Sequence, residues 1–163
     1  MTISGQDEFV IQPENLDKSS YAALKAHALD CRLPKRDRRI VAECIQRADA
    51  IGTGVHVMLV RLLSKKLLYA PPQMVDGVFG SIATEGARVT FSIDDLSPLT
   101  GRLFHGETHA PGQGGIPVAS LLGATLIGMN AGIKAPFLQA DGSFRTVRLI
   151  NVDHHAAVLT VAK

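Results

Sequence analysis

The sequence predicts an α+β chain, with a helical first half followed by a small β-rich unit that carries one short helix. Three observations carry this. Apolar residues recur at helical spacing in three segments ahead of Pro71-Pro72. Polar and apolar residues then alternate over Arg88-Val89-Thr90-Phe91-Ser92-Ile93, the period of a strand with one wet face. Finally, Asp141-Gly142 between Phe137-Leu138 and Phe144 is the turn chemistry of a β-hairpin.

The first helix is expected from Leu16 to about Leu29, capped by Asn15, with Tyr21, Leu24 and Ala28 on one face. Pro34 suits the first turn of a second helix, in which Ile40, Val41, Cys44, Ile45 and Ala48 form an amphipathic stripe. Gly52 and Gly54 end that helix. Val55 to Leu68 reads as a third helix through Met58, Leu59, Leu62, Leu63, Leu67 and Leu68, although Val55 and Val57 also suit extended chain. Pro71 and Pro72 stop it, because proline has no amide proton and constrains the residue before it. Beyond them, further strands are expected over Arg102 to Thr108 and Phe144 to Val152, and a short helix within Pro117 to Met129. Ala156 to Ala162 reads as a last strand or an ordered tail. The chain thus divides into a helical module, residues 1–78, and a β-rich unit, residues 79–163.

Composition narrows the function. Up to Val78 there are 11 Lys/Arg against 9 Asp/Glu, and the remainder holds 6 against 6, so neither half is a strong polyanion binder by net charge. Nucleic acid is expected to be at most a weak or indirect partner. Tryptophan is absent and aromatic residues are few, which disfavours a stacking platform for bases. Cys31 and Cys44 match no zinc or redox spacing and fit a reducing cytoplasm. The polar, acidic stretch Met1 to Glu14 does not read as a signal peptide. His109 to Ile133 has no Asp, Glu, Lys or Arg, but its prolines and glycines would leave backbone groups unpaired in lipid; a buried soluble segment is expected.

Three blocks of the second half give it a likeness to a known family. The first runs from Gly86 through Arg88, Val89, Thr90 and Phe91 to Asp94, Asp95, Leu96 and Gly101. The second is Ser120-Leu121-Leu122-Gly123-Ala124-Thr125-Leu126-Ile127-Gly128, with Gly132 four residues on. The third is the turn Gln139-Ala140-Asp141-Gly142 and the strand after it. In this order they resemble the C-terminal domain of the bacterial Gre transcription factors, and of the related regulator of nucleoside diphosphate kinase. The likeness covers about Ser81 to Asp153, with Leu121 where the family often has proline and Ile133 where it often has an acidic residue. It implies an FKBP-like antiparallel sheet folded around one short helix, docking on the rim of the RNA polymerase secondary channel. By that resemblance, Asp94, Asp95, Ser120, Leu121 and Gly123 are the partner-binding candidates. The small residues Gly123, Ala124 and Gly128 also suit close packing of a helix on a sheet.

Gre factors that promote transcript cleavage carry carboxylates at the tip of a helical hairpin, suited to holding magnesium. Here the turn between the first two helices, Asp30 to Arg39, has five basic residues to two acidic ones. Lys35, Arg36, Arg38 and Arg39 would make a basic tip, which repels Mg²⁺, on helices too short to reach far. No cleavage stimulation is expected, and the shorter regulator is the nearer comparison. The cluster also has a plain reading, a solvated helix start. No catalytic residue, metal or cofactor is expected: His105 and His109 lie far apart on a strand, His154-His155 lack a further ligand, and Gly112-Gln113-Gly114-Gly115 lacks the lysine of a P-loop. Two other classes stay open. One is a peptidyl-prolyl isomerase, by analogy of fold alone, with Phe79, Phe91, Phe104, Phe137 and Phe144 to line a pocket. The other is a nucleic-acid-binding module using Lys35 to Arg39.

Overall fold

A computed structural model describes residues 13–71, 80–106 and 114–154, with the side chains of the first helix from Tyr21 onward. Three helices come first: α1 (Pro13–Leu29), α2 (Lys35–Ile51) and α3 (Val55–Tyr69). Pro34 is the N-cap of α2, extended at φ −60° and ψ 158°, where a missing amide proton costs nothing. At the other end Gly52 turns left-handed (φ 70°) and its N–H donates to the Ala48 carbonyl. Gly54 precedes α3 at φ 61° and ψ −135°, a combination that side-chain-bearing residues avoid. These two glycines reverse the chain around Thr53, so α3 returns along α2. Val55 and Val57, which also suit extended chain by sequence, are helical, matching the expected start of the third helix.

Five strands follow: β1 (Arg88–Ile93), β2 (Leu99–Phe104), β3 (Gly115–Pro117), β4 (Lys134–Leu138) and β5 (Phe144–Asp153). A fourth helix, α4 (Leu121–Leu126), lies between β3 and β4. The sheet order is β3-β2-β1-β5-β4. Neighbours are antiparallel except β2 and β3, which run parallel and pair Leu103 with Ile116. The fold is therefore α+β with a mixed sheet, which corrects the purely antiparallel expectation at one edge.

Asp141-Gly142 forms the predicted hairpin turn, closed by Gly142 N–H to the Gln139 carbonyl and Gln139 N–H to the Ser143 carbonyl. The second strand differs from its prediction. It runs from Leu99 to Phe104, because pairing with β1 resumes directly after the Asp94-Asp95 turn. Leu99 and Thr100 are both exposed, so that end of the strand lacks the alternation that would reveal it in sequence. The predicted helix within Pro117 to Met129 contracts to six residues. Ala156 to Ala162, His109, His155, Phe79 and the expected module boundary near Val78 lie outside the described residues.

One cluster of buried side chains runs from Leu24, Val41, Cys44, Leu59, Leu62 and Leu63 in the helices to Val89, Phe91, Leu103, Leu126, Ile127 and Leu149. Backbone hydrogen bonds reinforce the join. Arg32 N–H donates to the Gly128 carbonyl at 2.8 Å, and Gly128 N–H donates to the Ala83 carbonyl at 2.7 Å. The described parts of the two halves thus bury their apolar surface against each other.

Candidate partner-binding surface

Asp94 and Asp95 form the turn between β1 and β2, both at positive φ (53° and 60°), a conformation that aspartate tolerates better than most residues. Asp94 accepts hydrogen bonds from Arg145 Nε at 2.7 Å and Thr146 N–H at 3.0 Å, and its own N–H donates to the Thr146 carbonyl at 2.7 Å. The Thr146 N–H, then the Arg145 guanidinium, hold its carboxyl below the usual range. Asp95 lies 3.8 Å from Lys134 and is otherwise open to solvent. Next to it Leu96 and Leu99 are 63% and 52% exposed, with Pro98 exposed between them. The loop is anchored by Asp94 and presents a carboxylate beside apolar side chains.

Ser120, Leu121 and Gly123 sit at the opposite end of the sheet, beyond Pro117, which pairs with Phe104. Ser120 is the N-cap of α4. Its Oγ accepts from Gly123 N–H at 3.0 Å and donates to the Pro117 carbonyl at 2.7 Å. A Cβ on Gly123 would stand 1.9 Å from the Pro117 oxygen, so only glycine fits there. Leu121 is half-buried against the core. The two groups of candidates are therefore separated by the length of β1, and Ser120 and Gly123 are occupied in starting α4.

The basic cluster is placed differently from its prediction. The α1–α2 turn lies against the sheet unit, through the Arg32–Gly128 bond and the Arg36–Glu85 ion pair, while Arg38 ties it to the end of α3, so it is not a projecting tip. Arg36 pairs with Glu85, while Arg38 donates to the carbonyls of Leu67 at 2.8 Å and Ala70 at 3.1 Å. Lys35 and Arg39 remain exposed. Asp37, which accepts from Glu85 N–H at 3.2 Å, is buried, and burial pushes its carboxyl up to about 6. The free end of a helical hairpin is instead Gly52-Thr53-Gly54 between α2 and α3, flanked by exposed Ile51, Val55 and Val57.

Two polar constellations escaped the sequence reading. Lys66, fully enclosed, donates to the carbonyls of Ala124 at 2.6 Å and of Thr125 and Ile127 at 2.8 Å, at the C-terminal end of α4. Burial pushes its amine down to about 8. His27 joins the same place, its Nε2 3.0 Å from the Thr125 carbonyl, and burial and then the nearby Lys66 keep the ring neutral. The signal for Lys66 was its position on the apolar face of α3, between Leu62, Leu63 and Leu67.

The second constellation is Cys44, His105 and Glu43, beside a cavity of about 140 Å³ that Arg47, Phe104 and Pro117 also line. Cys44 Sγ lies 3.7 Å from His105 Nδ1, and His105 Nε2 lies 2.9 Å from Glu43 Oε1. The order thiol, imidazole, carboxylate is that of a nucleophilic triad. Burial raises the Cys44 thiol to about 11, however, which favours the neutral thiol over the thiolate a nucleophile needs. No group of three side chains suited to holding a metal ion occurs among the described residues.

No protein-family model matches this chain, and no curated protein matches it. Solved structures do. A prokaryotic transcription elongation factor GreA/GreB from Nitrosomonas europaea matches with a TM-score of 0.54 at 14% identity, covering 76% of this chain and 98% of that one. The Gfh1 proteins of Thermus thermophilus and Thermus aquaticus match with TM-scores of 0.36 and 0.39, each at 14% identity and with the same coverage. At such identity the first of these establishes a shared fold.

Proposed function

We propose that this chain is a non-enzymatic bacterial transcription regulator that docks on RNA polymerase at the secondary-channel rim and does not stimulate transcript cleavage. The observation that carries the reading is the fold shared with the Nitrosomonas europaea elongation factor over 98% of that protein's length. The three ordered sequence blocks of the second half point to the same partner. Among the candidate contacts, the Asp94–Leu99 loop supplies the free surface: Asp95, Leu96 and Leu99 are exposed on a turn that Asp94 holds rigid. Ser120 and Gly123 act indirectly, by fixing the start of α4 and the half-buried Leu121.

The absence of cleavage stimulation rests on the α2–α3 hairpin. With 17 and 15 residues, its arms measure about 25 and 22 Å. From Asp49 to Val57 it carries one carboxylate, Asp49 itself, and a hard divalent cation needs several oxygen ligands. A short, largely apolar end suits occupancy of a surface better than delivery of a metal ion. In the cavity at Cys44 the aromatic hydrocarbon lining is Phe104 alone, beside the His105 imidazole, which gives an isomerase reading little support.

The test is binding of the purified protein to core RNA polymerase, with a Gre factor as competitor. Mutual displacement is expected, as is retention of transcript length in stalled complexes. Asp95→Lys combined with Leu96→Ser should weaken binding at least tenfold, while Lys35→Gln with Arg39→Gln leaves it unchanged. Binding that a Gre factor does not displace, or no binding, would sink the proposal.

A further inference from the structure

The balanced charge of the second half conceals a segregation. Five of its six Lys/Arg residues, Arg88, Arg102, Lys134, Arg145 and Arg148, lie in strands of the sheet, while Glu85, Asp94, Asp95 and Asp141 lie in turns and loops. Strand alternation decides where the strand residues point. Val89, Phe91, Leu103, Val147 and Leu149 are buried in the core, so the intervening Arg88, Thr90, Arg102, Thr146 and Arg148 stand on the opposite, wetter face.

On that face like charges are set directly across from each other. Arg88 pairs in register with Arg102, and Lys134 with Arg148. Such pairs cost stability, and a sheet free to choose would place an acid opposite a base. Asp153, opposite Arg88, and Asp95, 3.8 Å from Lys134, offset one member of each pair. Arg102 and Arg148 form no ion pair among the described residues. Between the two basic rows stand groups that donate hydrogen bonds: Thr90 facing Thr100, with Asn151 next in the row and Thr146 near the end.

We propose that this outer sheet face, centred on Arg88, Arg102, Lys134 and Arg148, binds the phosphodiester backbone of a nucleic acid. Guanidinium groups suit phosphates through their forked donors, and the hydroxyl and amide side chains between them complement phosphate and sugar oxygens. A protein partner would need an apolar centre, and among the described residues the large apolar side chains exposed near this face, Leu99, Ile133 and Ile150, lie singly on β2, ahead of β4 and on β5. Among the described residues no aromatic ring stands between the basic rows to stack a base, so binding is expected to be indifferent to sequence. The inference does not depend on the polymerase reading: Asp95 of the Asp94–Leu99 loop lies beside Lys134, but Arg88, Arg102 and Arg148 belong to neither that loop nor α4.

The experiment is fluorescence anisotropy with a labelled mixed-sequence single-stranded RNA oligomer over a series of salt concentrations. Affinity should fall as salt rises, with a log–log slope between about −2 and −3 for four neutralised phosphates. Arg102→Gln with Arg148→Gln should bind about tenfold more weakly and flatten the slope by about 1.4, two phosphate contacts' worth. Lys35→Gln with Arg39→Gln, which removes the exposed charges of the helical cluster, should change neither. Relieving one member of each like-charge pair should keep or raise the melting temperature, so lost binding in a folded variant is interpretable. No binding to RNA, a slope unchanged in the sheet variant, a loss confined to the helix variant, or equal displacement by polyglutamate would each overturn the proposal.

Discussion

Lys66 is an amine enclosed by protein, and it serves carbonyls at the end of α4 that the helix itself leaves without a donor, one of which, that of Thr125, His27 also meets. A short helix leaves its last C=O groups orphaned, and here three of them converge on one ammonium. Lys66→Met removes that donor and leaves the carbonyls of Ala124, Thr125 and Ile127 without it in a dry site. A loss of about 2–4 kcal/mol at pH 7 is expected in urea denaturation. The pH dependence separates charge from packing. In the folded chain Lys66 titrates near 8, below the value of about 10.4 for a free lysine, so the unfolded chain holds more protons between those values. The cost of burying the charge is complete below pH 8 and is relieved as pH rises toward 10. Wild-type stability should therefore gain from this group across that window, and the methionine variant should lack the gain. An unchanged denaturation midpoint at pH 7 would mean that those carbonyls find water.

At the scale of the element, α4 illustrates how a six-residue helix is held. Ser120 caps its start, Lys66 closes its end, and Gly123 lets it lie directly on the Pro117 carbonyl. Ser120→Ala removes one capping bond and should cost about 1 kcal/mol. Gly123→Ala asks a methyl group to occupy space 1.9 Å from a backbone oxygen, so backbone must move and a loss of about 3 kcal/mol or more is expected. Thermal melts of the two variants check the order. Equal losses would show that cap and close contact are one constraint. The same comparison bears on docking: Ser120→Ala should preserve polymerase affinity in proportion to folded protein, because its oxygen is spent inside the chain.

The whole molecule behaves as its core dictates. Sequence reading divides the chain near Val78, yet the buried cluster crosses that line and Lys66 stitches α3 to α4. One cooperative transition is the expected result. Tyr21 and Tyr69, which hydrogen-bond each other in the helical half, report there by near-ultraviolet circular dichroism. Amide exchange in β1 and β5 reports on the sheet. Their denaturation midpoints should coincide, and a fragment of residues 79–163 should fail to fold cooperatively. Two separate midpoints would show that the helical module and the β-rich unit unfold independently.

Much was legible in the residues alone, because the signals are short-ranged. Pro34, Gly52 and Gly54 set helix ends through their own φ preferences, Asp141-Gly142 made a turn through its own geometry, and β1 declared itself by alternation. The α+β class and the ordered blocks of the second half followed from the same local evidence. Tertiary structure decided what depends on residues far apart in the chain. His27 meets the carbonyl of a residue 98 positions away and Lys66 that of one 58 positions away, so no local pattern announces either partner. It also decided which turn is free, by laying the basic α1–α2 turn against the sheet unit and leaving Gly52-Thr53-Gly54 as the hairpin's end. Register across strands set Arg88 opposite Arg102 and Lys134 opposite Arg148, which a net charge cannot reveal. Backbone preferences act within a few residues, whereas burial, pairing and the titration of a buried group depend on whatever the fold places opposite.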